Sequence, residues 1–328
     1  MQRWVRYMGG RFLALLALTL AAGAGAQEIT LRAADNQPEN YPTVVGLRAM
    51  ADYLAENSDG RIQMEVFAGG QLGDERSTIE QAQLGVIDIV RTSTSPVGEF
   101  YTPMGVFSLP YLFRDEAHFV SVLEGDVGQE LLEGLSEAGL VGLAYYDSGS
   151  RNFYTTQTPI RSVADLQGLR IRTQESQVVL DMMEALGADP VPLPFAEVYS
   201  ALQTGVIDGA ENNFPSYGPE GVRHFEVAPY YTLDAHARVP EVVMISSSTW
   251  AGLSPEDQAL VREAAQASVP VQFEAWAELV ERSRRAVEEA GSEIIEVDIA
   301  EFQAAVAPVL EQYSAVYGDL IRRIQDTE

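Results

Sequence analysis

The sequence predicts an α/β protein of two lobes, each built on a largely parallel, mixed sheet with helices on both faces. Three observations carry this. Strand and helix patterns alternate through the first third of the chain, a short motif recurs at the same step of a helix-to-strand unit, and a helical stretch near the C-terminus is too long for one small lobe.

Residues 1–26 come first and belong to neither lobe. Arg3, Arg6 and Arg11 precede the apolar run Phe12–Leu20, and Ala24-Gly25-Ala26 is a small-residue cleavage pattern. The apolar run falls short of the ~20 residues a membrane span needs. The segment therefore reads as a signal peptide cleaved near Ala26, which exports the chain to the periplasm.

The first lobe, 27–149, opens with a strand over Ile29–Ala34. A helix over Thr43–Asn57 places Val44, Leu47, Met50, Ala51 and Leu54 at helical spacing. An alternating strand follows over Ile62–Phe67, then a helix over Glu75–Leu84 and a third strand over Val86–Val90. Helical spacing over Asp115–Leu132 and a strand over Val141–Tyr146 complete it. This order implies a doubly wound sheet.

The second lobe, 150–237, contains the echo. Gln83-Leu84-Gly85-Val86-Ile87-Asp88 recurs as Gln203-Thr204-Gly205-Val206-Ile207-Asp208, each after a helical pattern and before a β-branched run. Its other elements are expected over Leu169–Thr173, Gln177–Leu186 and Pro190–Pro194, with a strand over Val206–Ala210. The remainder, 238–328, is expected to return to the first lobe and then run as a long helix across both. Ser254 is suited to cap that helix and Pro255 to its first position. Pro270 should kink or break it, and Gly291 stops it. A short strand over Ile294–Val297 and helical segments close the chain.

Composition excludes several functions. Cysteine is absent, so there is no disulfide and no thiolate chemistry. Asp+Glu number 48 against 21 Lys+Arg, all arginine, giving a formal net charge of −27 that deepens by three once Arg3, Arg6 and Arg11 are removed. Such a chain repels nucleic acid and suits a salt-rich setting. The three histidines, His118, His224 and His236, match no zinc motif. No nucleophile elbow, P-loop or dinucleotide fingerprint is present. A carboxylate pair for glycoside hydrolysis remains an open alternative.

In open α/β sheets ligands bind beyond the strand ends. Arg151 lies in Ser148–Asn152, Arg172 ends a short strand, and Asn212 follows another. Two guanidinium forks and an amide suit an anionic, oxygen-rich ligand. The residues alone leave a second reading open, in which these arginines pair with some of the many acids. Phe195, after Pro194 at a strand end, could lie under a sugar ring, and His236 sits near the expected cleft.

Long collinear strings now carry a resemblance: GGQLGDERSTIEQAQLGVIDIV, SLPYLF, PIRSVADLQGLRIR and MMEALGADPVPLPFAEVYSALQTGVIDGAEN. The whole chain past residue 26 resembles the DctP-type solute-binding proteins of TRAP transporters. The resemblance implies a type II-like, two-lobed binding fold with the ligand cleft between the lobes. It implies that Arg172 grips a carboxylate, that Arg151 assists, and that Asn212 and Phe195 contact the ligand. It adds Asp35, Asp74, Glu75, Arg91 and Ser93 from the first lobe, and Asn213 from the second.

SGSRNFYTT, AENNFPSY and the DAHARVPEV segment are similar to members that bind hexuronates such as D-glucuronate and D-galacturonate. Gln37 stands where those members lead one to expect histidine. Sialic acid, C4-dicarboxylates and other sugar acids are the alternatives, and a secreted uronate-processing enzyme or an ABC-type binding protein are the other classes. A monomer without cofactor or metal is expected, and the resemblance implies that it hands its ligand to membrane subunits driven by a sodium gradient rather than ATP.

Overall fold

The computed structural model describes residues 28–328; the export segment and its cleavage near Ala26 lie outside them. The strands are β1 (Ile29–Ala34), β2 (Ile62–Phe67), β3 (Ile89–Ser93), β4 (Leu140–Tyr146), β5 (Ser150–Thr155), β6 (Arg170–Thr173), β7 (Asp189–Pro192), β8 (Gly209–Asn212), β9 (Tyr230–Arg238), β10 (Glu241–Ser246) and β11 (Glu293–Glu296). The α-helices of seven or more residues are α1 (Pro42–Asn57), α2 (Glu75–Gln83), α3 (Glu116–Glu124), α4 (Asp126–Gly134), α5 (Gln177–Ala185), α6 (Val198–Thr204), α7 (Pro255–Glu289) and α8 (Ile299–Asp326).

Two mixed sheets result. One has five strands in the order β2-β1-β3-β10-β4, the other six in the order β11-β9-β5-β8-β6-β7. Each contains one strand antiparallel to both its neighbours: β10 against β3 and β4, and β5 against β8 and β9. These two strands are entered directly from the other lobe, through residues 147–149 and 239–240. The crossing chain therefore delivers Arg151 and Glu241 to the facing strand ends of the two sheets. β10 is an interior strand buried on both faces, so it reads Val-Val-Met-Ile without alternation.

The echo has a structural meaning. Gly85 (φ 70°) and Gly205 (φ 72°) turn the chain in the left-handed region after α2 and α6. Ile87 and Ile207 then point into their cores, both fully buried. Asp88 Oδ2 accepts the Arg32 N–H at 2.8 Å, and Asp208 Oδ2 accepts the Arg170 N–H at 2.9 Å. The carboxylates thus tie these turns to the neighbouring strands, and the ladders begin later than the β-branched runs suggest, at Ile89 and Gly209. The pattern expected as one helix over Asp115–Leu132 is two, separated at the extended Gly125.

Two helices bridge the lobes. α7 is capped by Ser254, whose Oγ accepts the Asp257 N–H at 3.1 Å. It runs on as one helix through Pro270, so of the expected kink or break the break does not occur. Pro270 and Gln266, the residue whose carbonyl loses its helical donor, both lie on the exposed face, where water can satisfy that carbonyl. α8 is the second bridge: Phe302 and Val306 join the core of the second lobe, Tyr317 and Ile324 that of the first. His118 fixes its far end, with Nε2 2.7 Å from the Ile324 carbonyl.

Candidate functional site

The facing strand ends of the two sheets line a cavity of about 300 Å³, counting all space there not filled by atoms. From the first lobe it is lined by Asn36, Gln37, Tyr41, Glu75, Arg91 and Glu241. From the second it is lined by Arg151, Arg172, Gln174, Phe195, Asn212, Asn213 and Ser216. An adjoining cavity of about 310 Å³ shares Asn36, Glu75, Arg172, Gln174 and Phe195 and adds Asp74, Arg76, Pro96, Glu175, Leu193 and Pro194. The walls touch where Tyr41 Oη and Ser216 Oγ share a hydrogen bond of 2.8 Å. The Gln177 N–H also donates to Glu99 Oε1 at 2.9 Å.

The three cavity arginines have different surroundings. Arg172, 3% exposed, is held on β6 by one carbonyl: Nε and Nη2 donate to Leu193 O at 2.8 and 2.7 Å. It meets no carboxylate within ion-pair distance among the described residues, and its guanidinium carbon lies 6.0 Å from the Phe195 ring centre. Burial pushes its pKa below the ordinary guanidinium value, although it remains a cation at neutral pH.

Arg151 is paired. Its Nη2 donates to Glu211 Oε1 at 2.8 Å and to the Glu211 carbonyl at 3.0 Å, its Nε donates to Oε2, and Nη1 reaches Asn212 Oδ1 at 3.2 Å. Glu211 is in turn supported by His236, whose Nε2 lies 3.3 Å from Oε2 while Nδ1 lies 2.8 Å from Asp234 Oδ2. Burial disfavours both charges here, but the partners prevail. Arg151 and His236 hold the Glu211 carboxyl down at about 2, and Asp234 with Glu211 lifts His236 to about 9.

Arg91, 1% exposed, is surrounded. Nε donates to Asp35 Oδ2 at 2.9 Å, Nη2 to Asp35 Oδ1 and to Asn36 Oδ1 at 2.8 Å, and Nη1 to Glu241 Oε2 at 2.6 Å, with Glu75 Oε1 at 3.9 Å. Burial alone would lower its pKa; these acids raise it. Glu241 is pushed up to about 7 by burial, Glu75 and Asp35, against the pull of Arg91.

The structure thus brings Arg172, Arg151, Asn212, Phe195, Glu75, Arg91 and Asn213 to one cavity and Asp74 to its outer part. Asp74 caps α2, accepting the Ser77 N–H at 2.8 Å. Ser93, Asp35 and His236 stand behind the lining: Ser93 N–H donates to Glu75 Oε1 at 2.8 Å, Asp35 holds Arg91, and His236 holds Glu211. Asn213 is committed to the frame, its Nδ2 on Ser148 O at 2.9 Å and its Oδ1 accepting the Ser216 N–H at 2.8 Å. Sequence reasoning missed Asn36, Gln37, Tyr41, Gln174, Ser216 and Glu241 as lining residues. Gln174 could have been found two residues beyond Arg172, whereas Glu241 reaches the site only because β10 pairs it opposite Ser93.

Two lobes joined by crossing strands, with a buried and cation-bearing cavity between them, define a solute-binding protein. The chain belongs to the DctP family, described as bacterial extracellular solute-binding protein, family 7, whose model matches residues 33–315. Among relatives, it is 37% identical to the Salmonella typhimurium protein YiiZ, over 95% of each chain. It is also 32% identical to the Escherichia coli 2,3-diketo-L-gulonate-binding periplasmic protein YiaO, over 87% of this chain and 85% of that one.

Among solved structures, a Bradyrhizobium TRAP periplasmic solute-binding protein in complex with D-galacturonate is 46% identical. It has a TM-score of 0.89 and covers 91% of this chain and 100% of its own. One from Pseudomonas putida with bound D-glucuronate is 40% identical, with a TM-score of 0.88, covering 92% and 98%. The family is one of binding proteins, and no helix among the described residues is long and apolar enough to cross a membrane.

Proposed function

We propose that this chain captures a hexuronate, D-glucuronate or D-galacturonate, between its lobes and delivers it to the membrane subunits of a TRAP-type transporter. The observation that carries the reading is Arg172: a buried guanidinium, without a carboxylate partner among the described residues, on the wall of the cavity between the two sheets. A buried charge without a counter-ion is unfavourable, and a ligand carboxylate supplies what it lacks. The bound uronates in solved relatives at 40 and 46% identity support the same class of ligand.

In this reading Arg172, with Arg151 beside it, holds the carboxylate and Phe195 covers an apolar face of the ring. Asn212, Asn36, Gln37 and Glu75 face the hydroxyls. Gln37 Oε1 is buried with no hydrogen-bond partner among the described residues, so it is an acceptor ready for one. Asp35, Ser93 and His236 hold the lining from behind, Arg91 stands in the wall turned towards its own acids, and Asp74 lines the adjoining cavity. A ligand touching both walls favours the closed arrangement by its difference in affinity for the two states. Segment 1–26 exports the chain to the periplasm and is removed near Ala26, and the ligand is bound without turnover.

Thermal shift and calorimetry against D-glucuronate, D-galacturonate, sialic acid and succinate test this. One-to-one binding of a uronate, recovered unchanged, is the expected result, with a melting point that rises with ligand concentration. Tighter binding of succinate or sialic acid, or conversion of the uronate, would overturn it.

A further inference from the structure

The two walls of the cavity carry opposite electrostatics. On the second-lobe wall Arg172 is the cation left over, because Arg151 is matched by Glu211 and His236 by Asp234. On the first-lobe wall the sign is reversed. Arg91 is ringed by Asp35, Glu241 and Glu75, and Asn36 takes a further N–H. Four of its five N–H groups are directed at protein acceptors, so it offers no free two-donor fork to a ligand carboxylate. Glu75 and Glu241 both line the cavity in front of it.

We infer that Glu75 and Glu241 make this site selective for monocarboxylates and exclude the matching dicarboxylates. The inference rests on the hexuronate reading, since it needs one ligand carboxylate on Arg172. With that end fixed, the far end of a six-carbon acid has no uncommitted cation to meet. Hydroxyl groups there donate to Glu75 Oε2 or Glu241 Oε1, whereas a second carboxylate brings only acceptors and a like charge. Like charges a few ångströms apart in a buried site repel strongly, and building in such repulsion is a way to reject a near-identical competitor. Burial together with Asp35 and Glu75 already raises Glu241 to about 7, so this wall resists even its own full charge.

Calorimetry with four ligands separates charge from ring shape. D-galacturonate and D-glucuronate are cyclic monocarboxylates; L-galactonate is the open-chain monocarboxylate and galactarate the open-chain dicarboxylate of the same carbon skeleton. The wild-type protein should bind L-galactonate at least roughly tenfold tighter than galactarate, on the scale of one like-charge contact at intermediate dielectric. Glu75→Gln and Glu241→Gln, each checked for folding by its melting curve, should narrow that ratio while both keep a side-chain oxygen acceptor.

Galactarate binding as tightly as L-galactonate in the wild type would overturn the inference, whatever the variants do. So would an unchanged ratio in two folded variants. Failure of both uronates to bind, with the two open-chain acids still distinguished, would strike the hexuronate reading and leave the acidic wall standing. Failure of all four would remove both.

Discussion

Arg172 gives two of its N–H groups to a single carbonyl, Leu193 O, at 2.8 and 2.7 Å, and meets no side-chain anion among the described residues. The carbonyl fixes the direction of the guanidinium without neutralising it. Function and stability should therefore separate at this residue. Arg172→Met should weaken uronate binding by about 2–5 kcal/mol, the range for removing one partner of a buried hydrogen-bonded charge pair. The same variant should melt at or above the wild-type temperature without ligand, because it removes a buried cation that lacks a counter-ion. Calorimetry and an unliganded melting curve check the two halves independently.

Arg151 should behave in the opposite way. Its bonds to Glu211 make it part of the frame of β5 and β8. Glu211→Gln leaves a buried guanidinium without its anion and should destabilise the protein by about 3–5 kcal/mol in urea unfolding. The double variant Arg151→Met with Glu211→Leu should recover most of that loss while binding stays impaired. A double-mutant cycle with no coupling between the two positions would show that the pair is not the unit described.

Much of this arrangement was legible in the sequence, for identifiable reasons. The strands and helices of the first lobe follow from period-two and helical spacing, and the echo marked two equivalent turns before either was seen to carry an anchoring aspartate. Arg151, Arg172 and Asn212 were accessible because strand ends are where open sheets place ligands. Glu211 and Glu241 were not, because nothing local separates two acids from the other 46 (48 in all) and only the pairing of β8 and β10 gives them neighbours. Arg91 shows the same limit: the resemblance suggested a ligand contact there, and its three acidic neighbours come from three different segments. α8 was seen only as helical segments, since its two ends serve different cores and its apolar residues follow no single lobe.

The His236 pair predicts a pH dependence with a definite sign. Its pKa is raised from the ordinary histidine value to about 9, so its contribution is fully present below about pH 6.5 and is lost as pH rises through 9. Its immediate charged neighbours are Asp234 and Glu211, with Arg151 beyond. Glu211, lowered to about 2, contributes above about pH 4.5, and its share is lost only in strong acid. The stability gap between wild type and His236→Gln should therefore shrink by on the order of 3 kcal/mol between pH 6.5 and 9. Urea unfolding at four or five pH values measures it. A gap that stays flat across that interval would mean the ring is neutral in the fold and that its proton does not support Glu211.

Salt should act on the surface and leave the site largely alone. The formal net charge of −27 belongs mostly to exposed acids, whose mutual repulsion opposes the compact state. Raising NaCl from 0.1 to 1 M shortens the screening length from about 10 Å to about 3 Å. The melting temperature should climb through that range, more steeply than for a protein of balanced charge. The ion pairs around Arg91 and Arg151 are buried and screened far less, so Glu211→Gln should keep its stability deficit in high salt. Uronate affinity should fall only modestly, because the contact with Arg172 forms inside a closed cavity. A melting temperature indifferent to NaCl would show that the acidic surface does not oppose folding. A large loss of affinity would place the bound carboxylate nearer to solvent than Arg172 lies.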